Sequence, residues 1–250
     1  MTVQGGSGHE VPRLENVPDF LLRVSSVRKA TPSSRIVRLA LGDQAFPYRA
    51  GQVASLGPPL SPRQIPYSIA SAPEETAADA SIQFLIKSDS AGRWGDHFDA
   101  LRRGSRLAVR GPSGSFVFPE APTERRFLFI AGGTGISPLR SMIRHAVLSG
   151  LPGRISLLYS ARTPHDFAYL PELRAMARRG EISLSVTATR EMPLRWRGAR
   201  GRIVAPQLSA LVDDPETLCF VCGPAAMVSD VPPMLQELGI DRTRIRLEDW

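Results

Sequence analysis

At 250 residues the chain can bury two separate cores, and its composition is that of a globular protein, with no apolar run near the ~20 residues of a membrane span. Its formal charge of +7 is carried almost wholly by arginine, Lys29 and Lys87 being the only lysines. The arginines are spread along the chain without a DNA- or RNA-binding motif, which argues against a nucleic-acid partner. A basic face that meets an acidic partner or a phosphorylated cofactor remains, beside the plainer reading of an arginine-rich genome. The N-terminus, MTVQGGSGHE, has neither a basic region nor an apolar core, so it does not read as a secretory leader. Residues 1–17 read as a mobile tail, and the expected compartment is the cytoplasm.

From residue 18 to 120 the pattern is short β runs separated by Pro, Gly and Ser: Phe20–Val27, Arg35–Leu41, Gln52–Leu56, Ile65–Ala70, Ser81–Lys87, Arg106–Arg110 and Ser115–Phe118. Closely spaced strands of this kind predict an antiparallel β-barrel. A short helix from Trp94 to Arg102, with Phe98 and Leu101 inward, interrupts it. Pro119–Arg126 reads as a linker. The rhythm then changes to strand followed by helix over residues 121–250. Strands are predicted at Phe127–Ala131, Ile155–Ser160, Ile182–Thr189, Leu218–Cys222 and Ile245–Glu248. Helices are predicted from Ile136, over Leu170–Arg179, near Pro206–Leu211 and over Ala225–Leu238. That alternation predicts a doubly wound parallel α/β sheet.

The stretch FLFIAGGTGISPLRSMI is the most informative. An apolar strand turns through Gly132, Gly133, Thr134 and Gly135 into a helix with Ile136, Leu139, Met142 and Ile143 on one side. Pro138 sits in the first turn, where a missing N–H costs nothing. Free N–H groups and the helix dipole at such a start favour a phosphate. A tight turn without a ligand is the competing reading. The stretch lacks the Gly-Lys-Ser/Thr ending of a nucleoside-triphosphate loop.

In the first half, PRQIPYSIASAP places Tyr67 beside Ser68, an aromatic face next to a hydroxyl that could stack on a planar cofactor and hydrogen-bond to it. IKSDSAGRWGDHF supplies a second glycine-rich turn. FVCGPAAM puts Cys222, Gly223 and Pro224 at the C-terminal edge of a parallel strand, where open α/β sheets bind ligands. Cys219 and Cys222 have C-x-x-C spacing, but on a strand they point to opposite faces and read as separate residues. His9, His97, His145 and His165 form no metal set and no hydrolytic triad.

These elements, in this order over residues 19–250, resemble the ferredoxin–NADP reductase superfamily of flavoproteins. The resemblance implies a barrel that holds FAD and an α/β domain that holds NADPH or NADH. It also implies an acidic one-electron carrier, ferredoxin or flavodoxin, as partner. By match, Tyr67 would pack on the isoalloxazine and Ser68 would hydrogen-bond near its N5, with Ile69, Ile86 and Lys87 nearby. Gly92, Arg93, Trp94 and Gly95 would hold the FAD pyrophosphate. Gly133, Thr134 and Gly135 would face the NADP pyrophosphate, with Thr134 also near FAD. Cys222, Gly223, Pro224 and Met227 would lie along the nicotinamide. Ser68, Cys222 and Glu248 would form the polar set on the hydride path, and Trp250 would cover the flavin.

Two departures from the family pattern bear on flavin affinity. Ile65 stands where the family has an arginine, so Arg63 would have to supply the phosphate contact. Gly95 stands where a Ser or Thr is usual. Arg162, Arg190 and Arg202 match positions that clamp the adenosine 2′-phosphate in NADPH enzymes, whereas an NADH enzyme would place an acidic residue there. The expected activity is therefore electron transfer between NADPH and a carrier protein through FAD. The alternatives are an NADH-dependent reductase component of an oxygenase system, a reductase of diffusible flavin, and a non-catalytic nucleotide-binding subunit.

Overall fold

The computed structural model describes residues 19–61, 64–87, 100–190 and 193–249. The first half is six antiparallel strands: β1 (Asp19–Thr31), β2 (Ser34–Ala40), β3 (Val53–Gly57), β4 (Ile65–Ser68), β5 (Ser81–Lys87) and β6 (Arg106–Ser113). Their order is β4-β3-β6-β1-β2-β5. Ile69, just past β4, bridges Phe84 of β5, and the Ala70 N–H donates to the Gln83 carbonyl at 2.7 Å, so the two edges meet and the sheet closes. Closure removes the exposed ladder that an open sheet would present. Alternate residues fill the interior, with Leu22, Val24, Leu39, Leu56, Phe84 and Leu107 in one cluster.

Three details differ from the sequence expectation. A helix not anticipated, α1 (Pro73–Asp79), follows β4. It starts at a proline, and the Glu75 carboxylate accepts from the Ala72 N–H at 2.9 Å, which satisfies a donor the helix leaves free. Second, Ser115–Phe118 is not a strand. Its alternating aromatics, Phe116 and Phe118, leave the barrel and pack into the core of the second half, where Phe118 stacks on Phe129 and Phe220. Third, the helix expected up to Arg102 does not include residues 100–102; the rest of it lies outside the described residues.

The second half is a six-stranded parallel sheet of β7 (Arg126–Gly132), β8 (Arg154–Ala161), β9 (Ser183–Ala188), the two-residue β10 (Ala199–Arg200), β11 (Leu218–Gly223) and β12 (Ile245–Asp249). The order is β10-β9-β8-β7-β11-β12. The helices are α2 (Ile136–Leu148), α3 (Leu170–Arg178), α4 (Ala205–Ser209) and α5 (Ala225–Glu237). Phe129, Leu157 and Phe220 pack with α2 and α3 on one face; Leu128, Val221, Val231 and Leu235 pack on the other. Central strands buried on both faces are what a doubly wound sheet requires, and they explain the unbroken apolar runs. Cys219 joins the second cluster and Cys222 the first, so the two thiols face opposite ways and form no disulfide. Burial pushes the Cys219 thiol up to about 12. Among the described residues no helix is long and apolar enough to cross a membrane.

Candidate functional site

The sheet order reverses between β7 and β11, the place where an open α/β sheet leaves a crevice beyond its strand ends. A cleft of about 730 Å³ lies there. It is walled by Gly132–Thr134 after β7, by Ser160–Thr163 after β8, by Thr189 and Arg190 after β9, and by Gly223, Pro224 and Met227 after β11. The barrel closes it from across with Thr31, Ser33, Ser34 and Lys87.

The glycine turn is shaped for a backbone approach. Gly133 has φ +54°, and a Cβ there would meet nothing, so glycine serves the left-handed conformation. Gly135 serves contact instead: a Cβ would collide with the Cys222 carbonyl and lie 2.9 Å from the Gly223 nitrogen. The 13-residue α2 starts at this turn, and no side chain caps it. The Ile136 N–H at its first position is taken by the Gly133 and Thr134 carbonyls, so the donors left for an anion are those of the turn Gly133–Gly135, which no side chain caps. Tyr159, fully buried, fixes the turn from below: its hydroxyl donates to the Gly133 carbonyl at 3.0 Å and accepts from the Ala168 N–H at 3.1 Å. Burial holds its phenol well above the ordinary range, so it stays a donor at all working pH.

The three arginines singled out by the sequence meet in this cleft. Arg162 and Arg190 sit on adjoining strand ends, joined by a 2.8 Å bond from the Arg190 N–H to the Arg162 carbonyl. Arg202 is brought alongside because Gly201 N–H donates to the Ala188 carbonyl and Thr187 Oγ1 donates to the Gly201 carbonyl at 2.7 Å. All three side chains are exposed, and among the described residues none pairs with a carboxylate. Asp166 and Asp230 also line the cleft. The Asp166 carboxylate is already engaged by the Thr163 N–H at 3.0 Å and its hydroxyl at 2.8 Å.

Of the remaining expected residues, Cys222 is fully buried, one residue before the wall begins at Gly223. Glu248 is its register partner on β12, so the strand pairing sets the two side by side. Tyr67 is half-buried on β4 against the barrel core, opposite the small Ala54. Ser68 is buried, and its carbonyl accepts from Ser137 Oγ at 3.1 Å. Ile69 and Ile86 belong to the barrel interior, so their side chains shape the strand ends. Arg63, Gly92, Arg93, Trp94, Gly95 and Trp250 lie outside the described residues. Sequence reasoning missed Tyr159, Thr163 and the barrel hydroxyls at the cleft, because no local pattern marks them.

A backbone cradle at a helix start, with guanidinium groups lining the same cleft that pair with no carboxylate among the described residues, has the donor set of a dinucleotide site. Residues 129–232 match the model of the oxidoreductase NAD-binding domain, and residues 21–118 that of the oxidoreductase FAD-binding domain. The chain belongs to the ferredoxin reductase-like FAD/NAD-binding oxidoreductases.

Among its relatives is ferredoxin–NADP reductase B of Sorangium cellulosum, 33% identical over 92% of this chain and 97% of that one. The ferredoxin reductase component of a 3-ketosteroid-9-alpha-monooxygenase from Rhodococcus rhodochrous is 30% identical over 91% of this chain, which spans 64% of that protein. Among solved structures, the ferredoxin reductase in carbazole 1,9a-dioxygenase superposes with a TM-score of 0.80 at 25% identity, over 96% of this chain and 71% of that one. A ferredoxin NADP+ reductase from Neisseria gonorrhoeae shares the fold, with a TM-score of 0.78 at 19% identity over 92% and 98%. In this reductase family setting, the barrel is the flavin half and the parallel sheet the nicotinamide half.

Proposed function

We propose that this reductase moves electrons between NADPH and a one-electron carrier protein, ferredoxin or flavodoxin, through bound FAD. The observation that carries the reading is the set of exposed arginines, Arg162, Arg190 and Arg202, gathered at one end of the cleft without carboxylate partners among the described residues. Guanidinium forks on neighbouring strand ends suit the extra phosphate of NADPH, whereas the ribose hydroxyls of NADH offer them only neutral acceptors and no charge. The Sorangium relative, named as a ferredoxin–NADP reductase and covered along nearly its full length, supports the same choice.

FAD, when bound, accepts an electron pair from the nicotinamide and releases electrons singly. The chain supplies position and electrostatics. Tyr67 on β4 offers a ring face to the flavin, and Ser68 offers its polar group at the hydride path. The turn Gly133–Gly135 binds the NADP pyrophosphate through backbone N–H groups. Gly223, Pro224 and Met227 orient the nicotinamide, with Cys222 and Glu248 side by side at its edge. By the family match, Arg63 and residues 92–95 would hold the FAD pyrophosphate and Trp250 would cover the flavin. In this reading the flavin domain runs from about residue 18 to 120 and the nucleotide domain from 121 to 250. The protein works in the cytoplasm, and its basic balance suits an acidic carrier.

A second reading, the NADH-dependent reductase of an oxygenase system, is favoured by Asp166 and Asp230 in the same cleft and by oxygenase reductase components among the relatives. An absorbance spectrum of the purified protein, followed on anaerobic addition of each nucleotide, separates the two. The expected outcome is a flavin spectrum that NADPH bleaches faster than NADH. Faster bleaching by NADH transfers the assignment to the second reading. A protein that stays colourless with added FAD refutes both.

A further inference from the structure

Among the described residues, Arg140 on α2 is the one buried charged residue, 4% exposed, and it is not part of the cleft wall. All five of its N–H donors are used. Nη1 donates to the Ala70 carbonyl at 2.6 Å and to Glu75 Oε2 at 2.9 Å. Nη2 donates to Glu75 Oε1 at 3.1 Å and to Glu172 Oε1 at 2.7 Å, and Nε to Glu172 Oε2 at 3.0 Å. The guanidinium also lies over the Tyr169 ring, 4.9 Å from its centroid. Tyr169 in turn accepts from Gln83 of the barrel at 3.1 Å.

Two serines flank this arginine on the same helix face, at spacings of three and one. Ser137 Oγ donates to the Ser68 carbonyl at 3.1 Å, and Ser141 Oγ donates to the Ser71 carbonyl at 2.6 Å. Three side chains of α2 therefore grip the carbonyls of residues 68, 70 and 71, directly after Tyr67. The same helix begins at the nucleotide turn. A buried ion pair adds little net stability over apolar packing of the same volume, but losing one partner leaves the other buried and unpaired, so the network holds the geometry in which all its members are satisfied.

We propose that Arg140 is a positioning residue for the redox reaction, fastening the strand that carries Tyr67 and Ser68 to the helix that starts the nucleotide turn, and so setting how the two cofactors face each other. This rests on the reading of Tyr67–Ser68 as the flavin strand. The fixed fork matters as much as the charge, because only a planar guanidinium serves two carboxylates and a carbonyl together.

The test uses the FAD-loaded protein and five variants: Arg140→Gln, Arg140→Lys, Ser141→Ala, Arg144→Gln and Tyr67→Ala. Flavin visible circular dichroism, Kd for FAD, Kd for NADP+ and the stopped-flow rate of flavin reduction at saturating NADPH are measured for each. For Arg140→Gln we expect altered flavin dichroism and a reduction rate lower by about tenfold or more, because a small misplacement of reacting groups is costly. Both Kd values should stay within about threefold, the signature of a kcat rather than a KM effect. Arg140→Lys should recover only part of the rate. Arg144 shares Glu75 and Glu172 but holds none of the three carbonyls, so Arg144→Gln should keep the wild-type rate.

An unchanged rate in Arg140→Gln overturns the proposal. So does a rate that falls only in step with lost FAD, or an equal loss in Arg144→Gln. If Arg140→Gln fails to fold, Ser141→Ala decides: a slower rate with unchanged Kd supports the clasp, and a wild-type rate refutes it. Tyr67→Ala separates the underlying reading. If it leaves flavin dichroism and fluorescence as in wild type, the flavin strand has been misassigned and the clasp loses its basis. If it changes them while Arg140→Gln does not, the clasp alone is wrong.

Discussion

Two groups of arginines on this chain are held in opposite ways. At the seam between barrel and sheet, Arg140 and Arg144 are matched against Glu75 and Glu172 at 2.7 to 3.7 Å. In the cleft, Arg162, Arg190 and Arg202 are exposed and, among the described residues, without a carboxylate. The seam cations are already satisfied, and Arg140 among them locks a geometry. The cleft cations are not, so they are available to a ligand that brings its own negative charge. Removing a seam charge should therefore cost stability first, and removing a cleft charge should cost binding first.

The largest effect on stability is expected at Glu75. Burial alone would raise its carboxyl, but Arg140, the Ala72 N–H and Arg144 together hold it below the ordinary carboxylate value. A carboxyl depressed in the folded state adds stability above the unfolded pKa, and that stability is lost as pH falls through the folded one. Glu75→Gln keeps the helix-start acceptor and removes the charge. At pH 7 it should lower the urea-unfolding free energy by about 2 kcal/mol, given its partial exposure. The gap should close as pH drops below the usual carboxylate range. A gap independent of pH would show that the charge at the seam is not what matters.

In the cleft, Arg190→Ala should leave unfolding within about 0.5 kcal/mol of wild type. It should weaken NADPH by about tenfold, the loss of a charge-assisted hydrogen bond, with NADH unaffected. Equal losses for both nucleotides would break the contrast with the seam. The smallest effect should come from a pair that belongs to neither group. Arg38 meets Asp79 at 3.3 Å, with side chains 37% and 54% exposed. Arg38 also donates to Gln83 Oε1 at 3.0 Å and is left in place; Asp79→Ala removes the ion pair alone and should shift stability by less than about 1 kcal/mol, and less still in high salt.

Much of the architecture was readable from residue order. Buried parallel strands announce themselves as unbroken apolar runs, as in FLFIA and LCFVC, because both faces are covered. Strand ends are located in the same way, which places Arg162 and Arg190, but it is the resemblance to NADPH-using reductases that singles out Arg162, Arg190 and Arg202 together, and only the structure shows them in one cleft. What was not readable depends on distance along the chain. In sequence Arg140 is one polar residue of an amphipathic helix and looks like a solvent-facing side chain. Its partners lie 65 and 32 positions away, and nothing local points to them. The helix α1 was missed for a different reason. PEETAAD is too short and too polar to show a helical period, although its Pro and paired acids are start signals. Ser115–Phe118 misled because alternating aromatics satisfy a strand pattern equally well when they bridge two cores.

That bridge affects how the chain can be divided. Phe118 stacks within 5.1 to 6.3 Å of Phe127, Phe129 and Phe220, and Phe116 lies edge-on to Phe220 at 6.0 Å. The FAD-binding match ends at residue 118, so its last aromatic belongs, in packing, to the other half. A cut at that boundary would strip the nucleotide half of two side chains from its interior and leave apolar rings in water. A transplanted nucleotide half would have to carry the tail of its neighbour with it to keep its interior filled.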